Sequence, residues 1–557
     1  MNDCTRRDLL KAMAGLVATP ALATTALAAP ALVGLPRKGR VIAGGFVDDG
    51  GAAGHRVRDA AATRRGHASP RPARTRRVRV AIVGGGIGGL SAGWQLDAEG
   101  LHDWTLLELE SVVGGNTRSA VYPGLEGRRA PWGAHYLPIP DADAVHVRRL
   151  MRELGVLDAL GQWDERVLCH APQERVWQHG RWHEGLAPLD AASAADRRAF
   201  AQFESRIAAW RESGAFRVPS HMGRERLREL ARGDAAARAL ARELRALDGL
   251  SADAWMRQQG WNSETLRWWV EYGTRDDYGA SLQQASAWAA VHYFAARPAD
   301  EDGPLTWPEG NDWIARQLFT RLAQRPARDG GSRVMTGTPV LQLESQPGGR
   351  WRVHTPQLTI DADAVIWAAP LFVLPRVLPG CTLPITLEHA SWVVANLVLD
   401  GPPREGLGAP PSWDNVIYGS PSLGYVVADH QRLASPPTQP IWTWYHALVD
   451  GHARDARAGL LRMPWTHWRD TVLADLSRAH PDIAERVLRV DVMRWGHAMA
   501  RPLPGVLTRQ ELAQAWQPSP GVWCAHADLS GFSLFEEAQW HGVLAAQRVA
   551  AYVGGRS

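Results

Sequence analysis

Hydrophobic and polar positions repeat with two periods along this chain, and the changes of period mark its elements. Val78-Arg79-Val80-Ala81-Ile82-Val83 is a short apolar run of the kind a buried parallel strand shows, and Leu90 to Glu99 follows with helical spacing, closed by Gly100. Further strands are predicted at Trp104 to Glu108, Pro339 to Leu343 and Ala364 to Pro370. Residues 140–270 read as mainly helical. Arg148 to Leu160 and Ala191 to Trp210 place apolar residues at three- and four-residue intervals, and Glu225 to Leu250 is rich in Ala, Arg and Leu. Residues 383–450 read as strands, at Trp392 to Leu399, Leu423 to Val427 and Ile441 to Tyr445. Towards the end, Gly521 to Asp528 is a strand closing on an acid, Ser530 to Ser533 a turn, and Leu534 to Tyr552 a long helix. This mixture predicts an α/β fold.

At roughly 100–200 residues per domain, 557 residues allow two to four domains. With 45% hydrophobic and 22% charged residues the chain is globular rather than disordered. Four cysteines, Cys4, Cys169, Cys381 and Cys524, are too few for a disulfide scaffold, and none has a metal-ligand spacing. The formal charge of +4 is unevenly spread. Residues 37–79 carry twelve Arg or Lys against three Asp and residues 1–36 add +1, which leaves residues 80–557 at −6. A mildly acidic body argues against a nucleic-acid-binding core. Lysine occurs only at Lys11 and Lys38, so lysine chemistry is excluded from the folded body.

Residues 1–29 read as a targeting segment. Thr5-Arg6-Arg7-Asp8-Leu9-Leu10-Lys11 resembles the twin-arginine export signal, and Ala26-Leu27-Ala28 offers small residues before a cleavage site at Ala29. The intervening stretch, broken by Thr19, Pro20, Thr24 and Thr25, lacks the ~20 continuous apolar residues of a membrane span. The expected location is therefore periplasmic or secreted, with an uncleaved anchor as the alternative. Residues 30–77, rich in Gly, Ala, Arg and Pro, read as a disordered basic linker, either a solvated tether or an arm for anionic lipid or a partner.

Between the strand at 78–83 and its helix, Gly84, Gly86 and Gly89 satisfy GxGxxG. The first glycine allows the tight turn, the second lets a pyrophosphate approach the backbone, and the third lets helix and strand pack closely. The helix start presents unpaired N–H groups to the phosphates. The second strand ends in Glu108, 19 residues after Gly89, a carboxylate that can accept both ribose hydroxyls and would repel a 2′-phosphate.

Glu108 is followed six positions later by Gly114-Gly115-Asn116-Thr117, and this E-x5-GG pattern resembles the flavin-containing amine oxidase superfamily. The resemblance implies FAD as cofactor, with Asn116 donating through its amide where the family usually has Arg. Arg129 to Tyr136 resembles the loop passing beside the flavin, which brings in Gly133 and Ala134. Pro339 to Leu343 resembles the strand whose Val backbone meets adenine, here Val340. Asp528 inherits the acid that contacts the ribityl–pyrophosphate region, and the helix after it points its positive end at the flavin pyrimidine edge. The implied architecture is a discontinuous Rossmann-like FAD-binding domain (78–139, 305–375 and 490–557) with an inserted α+β substrate domain (140–304 and 376–489). Many members hold a water against the flavin with a Lys, which this chain lacks after position 38. The electron acceptor, dioxygen or a carrier, stays open.

Candidate substrate residues come from two places. Arg275-Asp276-Asp277-Tyr278-Gly279 sets an acid pair and a Tyr at a helix-to-loop junction. The carboxylates and the Tyr face would hold a cationic amine, unless the segment is only a solvated helix end. Trp495, in Arg494 to Met499, stands where amine oxidases set an aromatic wall against the flavin, and His135 and His497 are candidate bases near neutral pH. The expected function is oxidation of an amine by hydride transfer to flavin N5. Two alternatives remain: a desaturase or protoporphyrinogen-oxidase-like enzyme on a large apolar substrate, and a flavin-binding assembly or carrier protein without turnover.

Overall fold

The computed structural model describes residues 41–47, 50–63, 74–122, 124–190, 192–297, 303–383, 387–432, 437–512 and 517–555. The predicted leader and its twin arginines lie outside them. The described chain opens with β1 (Ala43–Phe46) and α1 (Gly51–Thr63), followed by β2 (Thr75–Val83), α2 (Ile87–Ala98) and β3 (Trp104–Leu107). β2 and β3 lie parallel, Val80 opposite Trp104 and Val83 opposite Leu107. On its other side β2 pairs in parallel with Thr359–Trp367, which pairs in turn with Val522–Cys524. Val80, Ala81 and Ile82 are fully buried because both faces of this sheet are covered, as parallel sheets require. α2 and the C-terminal helix Phe535–Gly554 lie on one face, packed around Val80, Ile82 and Leu90.

The second sheet has eight strands in the order Ala43–Phe46, Val487–Ala500, His389–Leu399, Ile441–Leu448, Tyr425–Val427, Asp414–Ile417, Glu174–Gln178 and Arg181–Glu184. Its inner face, with Trp392, Val394 and Tyr445, packs under a helical cap that includes Ala194–Glu212, Glu264–Tyr278 and Ala287–Ala295. Its outer face, with Leu397, Trp442 and Trp444, is covered by the helices Ala453–Arg462 and Trp465–Leu476. No described helix is long and apolar enough to cross a membrane.

Several expectations change here. The stretch 30–77 is not a linker throughout: β1 pairs in parallel with Val487–Ala500, and α1 buries Val57 in the core beneath it. Four residues, two of them glycine, and an Ala-rich helix carry too little periodicity to be read alone; tertiary pairing orders them. The strand Val487–Ala500, placed with the nucleotide-binding unit from residue 490 on, belongs to the second sheet. The mainly helical region contains the hairpin Glu174–Gln178 and Arg181–Glu184. The helix predicted over Glu225 to Leu250 breaks at Gly233, after which the Asp234 side chain accepts from the Ala237 N–H and starts a second helix.

Candidate functional site

The carboxyl ends of the parallel strands and the inner face of the second sheet enclose one cavity of about 1650 Å³. That exceeds the ~300–1,000 Å³ of a single small-molecule site, so it has room for a cofactor and a substrate together. Its floor is glycine. Gly84 has φ +108°, and a Cβ there would press on the Ala368–Ala369 backbone, so only glycine fits the turn. Gly86 has open space where a Cβ would stand, and Gly115 packs against its Cα. The Gly114 N–H donates to the Gly85 carbonyl at 2.9 Å, which joins both glycine segments into one surface. At Gly89 a Cβ would strike the Gly84 carbonyl and crowd the Ala368 side chain, so its absence lets the helix pack closely on the strand ends, as the motif predicts. Gly88, which sequence reasoning did not single out, does the same towards the last helix. A Cβ on Gly88 would meet the Ala525 carbonyl, and one on Gly542 the Gly88 carbonyl, so helix Phe535–Gly554 can approach.

Glu108 lies at the edge of this floor, its carboxylate accepting from the Gly85 N–H at 2.5 Å and the Glu110 N–H at 2.8 Å. Burial pushes its carboxyl up to about 7, against the lowering effect of the Gly85 N–H and Arg118. Val340 lines the same end, two residues ahead of the strand Gln342–Gln346. Gly133 and Ala134 pass beside the glycine floor, the Ala134 N–H donating to the Asn116 carbonyl at 3.0 Å. Asn116 also lines the cavity, with its amide donating to the Ala498 carbonyl at 2.5 Å. Asp528 is buried in the wall. Its carboxylate accepts from the Leu371 N–H at 2.9 Å and the His389 Nε2 at 3.0 Å. Burial would raise that carboxyl, but His526 and His389 outweigh it and hold it well below the usual carboxylate range. Glu537, in the first turn of the last helix, is also buried, and accepts from the Ser220 N–H and the Ser530 hydroxyl, both at 2.5 Å.

The inner half of the cavity is aromatic and acidic. His135 stacks on Tyr445 with ring centres 4.6 Å apart, and Trp413 and Tyr136 stand at 5.4 and 5.0 Å from it. Asp276 closes this cage, accepting from the Tyr136 hydroxyl at 3.1 Å and the Tyr293 hydroxyl at 3.4 Å. The neighbouring Arg275 turns away and donates to the Ser420 and Pro421 carbonyls. Asp277 also lines the cavity, but faces Arg297 at 3.7 Å, and Arg297 reaches Glu536 at 3.4 Å. Trp495 lines the cavity and donates from Nε1 to the Trp132 carbonyl at 2.5 Å.

Two candidates change role. Tyr278 is fully buried outside the cavity, its hydroxyl 3.1 Å from His292 Nδ1 and its ring against Phe532, because one step along the helix turns it into the cap. His497 stacks on Phe372 at the cavity wall. Although its ring is exposed on the cavity side, partial desolvation there, then Arg457 and His389, lowers it to about 4, so it is neutral and a weak base at neutral pH. Trp413, Tyr445, Glu174 and Asp414 also line the cavity and were missed. Tyr445 carried a signal only in hindsight of the sheet, as the aromatic residue of Ile441 to Tyr445 that shares a face with Ile441 and Thr443.

The floor and Glu108 fit a dinucleotide: an open approach at Gly86 and an acceptor at ribose height. The described fold agrees with known proteins. A cofactor-binding redesign of putrescine oxidase superposes with a TM-score of 0.62 at 16% identity, covering 87% of this chain and all of that one. Cyclohexylamine oxidase from Brevibacterium oxydans superposes at 0.60 and 14% identity, covering 86% and 99%. In sequence, bovine (Bos taurus) protoporphyrinogen oxidase is 37% identical over 119 residues, 20% of this chain and 24% of that protein. The chain thus aligns with about a quarter of the length of that curated relative. The model of the flavin-containing amine oxidoreductases matches residues 87–393, more than half of the chain. This chain belongs to that family and is an FAD-dependent oxidoreductase.

Proposed function

We propose that the protein is an exported enzyme that oxidises the C–N bond of a cationic amine. The observation carrying this is Asp276, a carboxylate closing a cage of aromatic rings in the cavity that also holds the glycine floor. Bound FAD supplies the hydride acceptor, N5. Asp276 provides the counter-charge for the ammonium as it binds and stands where it can take the nitrogen's proton, which must leave before the neighbouring carbon can give up a hydride, and the faces of Tyr136, Trp413 and Tyr445 attract the same cation. His135, stacked between them, and Trp495 orient the substrate carbon and exclude water. An imine product would hydrolyse in solvent. The acceptor that reoxidises the cofactor is dioxygen or an electron carrier. The twin-arginine motif at Arg6 and Arg7 supports export of the folded, cofactor-loaded protein.

A second function, oxidation of a large apolar substrate, is favoured by the bovine relative and by the cavity's size. Anaerobic mixing with mono- and diamines on one side and a reduced tetrapyrrole on the other separates the two. Bleaching of the flavin by an amine supports the first reading. Bleaching by the tetrapyrrole alone overturns it.

A further inference from the structure

The cofactor cavity has a wall that no nucleotide-binding motif supplies. Gly51, Ala52, Gly54 and Val57 of α1 line it at the end occupied by Glu108 and Val340. The first of these glycines follows Gly50, which has φ +68° and stands so close to Glu110 that a Cβ there would press on its carboxylate. Gly54 has open space where its Cβ would be. α1 is thus brought against the Glu108–Glu110 segment at Gly50, and Ala52, His55, Val57 and Arg58 line the cavity beside its glycines.

The wall is anchored twice. Val57 is buried beneath α1, beside the short helix Leu374–Val377. β1 adds an edge strand to the second sheet, Gly44 opposite Val490 and Phe46 opposite Val492, and the Val47 N–H donates to the Val492 carbonyl at 3.0 Å. The Arg494 guanidinium lies 4.0 Å from the centre of the Phe46 ring. A surface helix with one buried apolar anchor has little packing of its own to hold it. Its place over the cavity is explained if it covers something.

We propose that α1 is part of the FAD site, covering the adenosine half with its Gly51–Gly54 turn, and that β1 fastens it there. The cofactor is then held between the glycine floor and a segment outside the family's nucleotide-binding motifs. The proposal rests on the cofactor and not on the substrate, so it stands or falls apart from the amine assignment.

Hydrogen exchange on the wild-type protein tests it, comparing apoprotein with protein reconstituted with FAD. Amides of residues 51–63 are expected to exchange more slowly when FAD is bound, in step with those of residues 84–90. Equal exchange in both forms, while residues 84–90 become protected, would overturn the proposal. Gly44→Val gives an independent reading, because its side chain would collide with the Val490 carbonyl while no cofactor-lining residue changes. FAD release on dilution, followed by the rise in free-flavin fluorescence, should accelerate about tenfold or more, since loss of a wall acts mainly on dissociation. Wild-type release from the folded variant would overturn it as well.

Discussion

Replacing Asp276 by Asn removes one negative charge from the cage and keeps its shape. The amide still accepts from the Tyr136 and Tyr293 hydroxyls that hold the carboxylate at 3.1 and 3.4 Å. The neighbouring Arg275 donates its hydrogen bonds to the Ser420 and Pro421 carbonyls rather than to this carboxylate. At ~4 Å and an effective dielectric of ~20 an ammonium–carboxylate pair is worth about 4 kcal/mol. Partial exposure of Asp276 and the cost of desolvating the ammonium reduce the net loss to about 2–3 kcal/mol. The half-saturating amine concentration should therefore rise about 30- to 150-fold. Asp277→Asn is the internal control. Its carboxylate already faces Arg297, so the change should stay under about fivefold. Stopped-flow flavin reduction under anaerobic conditions gives both half-saturation and limiting rate, and the flavin spectrum confirms equal FAD content. If Asp276→Asn leaves half-saturation unchanged for every amine that bleaches the wild type, Asp276 is not the counter-ion and the amine assignment loses its anchor.

Burial raises the Glu108 carboxyl to about 7, and ribose hydroxyls donating to its ionised form would lower it. FAD binding at pH 6 should then release close to one proton and strengthen as pH rises towards 7. Calorimetry in buffers of different ionisation enthalpy reads that proton, and Glu108→Gln should abolish it. Tyr278→Phe should cost about 1–3 kcal/mol in thermal or denaturant unfolding, since it leaves the buried His292 Nδ1 without its partner, yet leave flavin bleaching by amines unchanged. A slowed reduction rate would return Tyr278 to the site. Lys in place of both Arg6 and Arg7 should retain the protein in the cytoplasm, because a receptor reads that signal rather than its charge. Fractionation with unchanged periplasmic yield would refute that route.

The nucleotide half was legible because its chemistry is backbone chemistry. Gly84, Gly86, Gly114 and Gly115 appear in the text as glycines for the reason they are needed in space. The substrate half was not, because its sheet is covered on both sides. Tyr445 faces the cavity while its neighbour Trp444 enters the outer core, and Val394 and Val393 divide in the same way. With apolar residues on both faces no alternation survives to say which side carries the site. The acid pair shows the limit of spacing within one helix. Asp276, Asp277 and Tyr278 are adjacent in sequence, yet successive helical residues point about 100° apart. One reaches the cage, one meets Arg297 and one enters the core. β1 and α1 were invisible for a different reason: their order comes from a partner strand at the opposite end of the chain.

That pairing also imposes a timetable. Ala43 is made early and stands against Arg489, which is made near the end. At ~5–20 residues per second the ribosome needs on the order of a minute to connect the two. Throughout that interval the Rossmann-like glycine turn can form, but the edge on which β1 docks does not exist. β1 consequently waits for most of the chain before it can take its place, and it docks only once the strand Val487–Ala500 has been made.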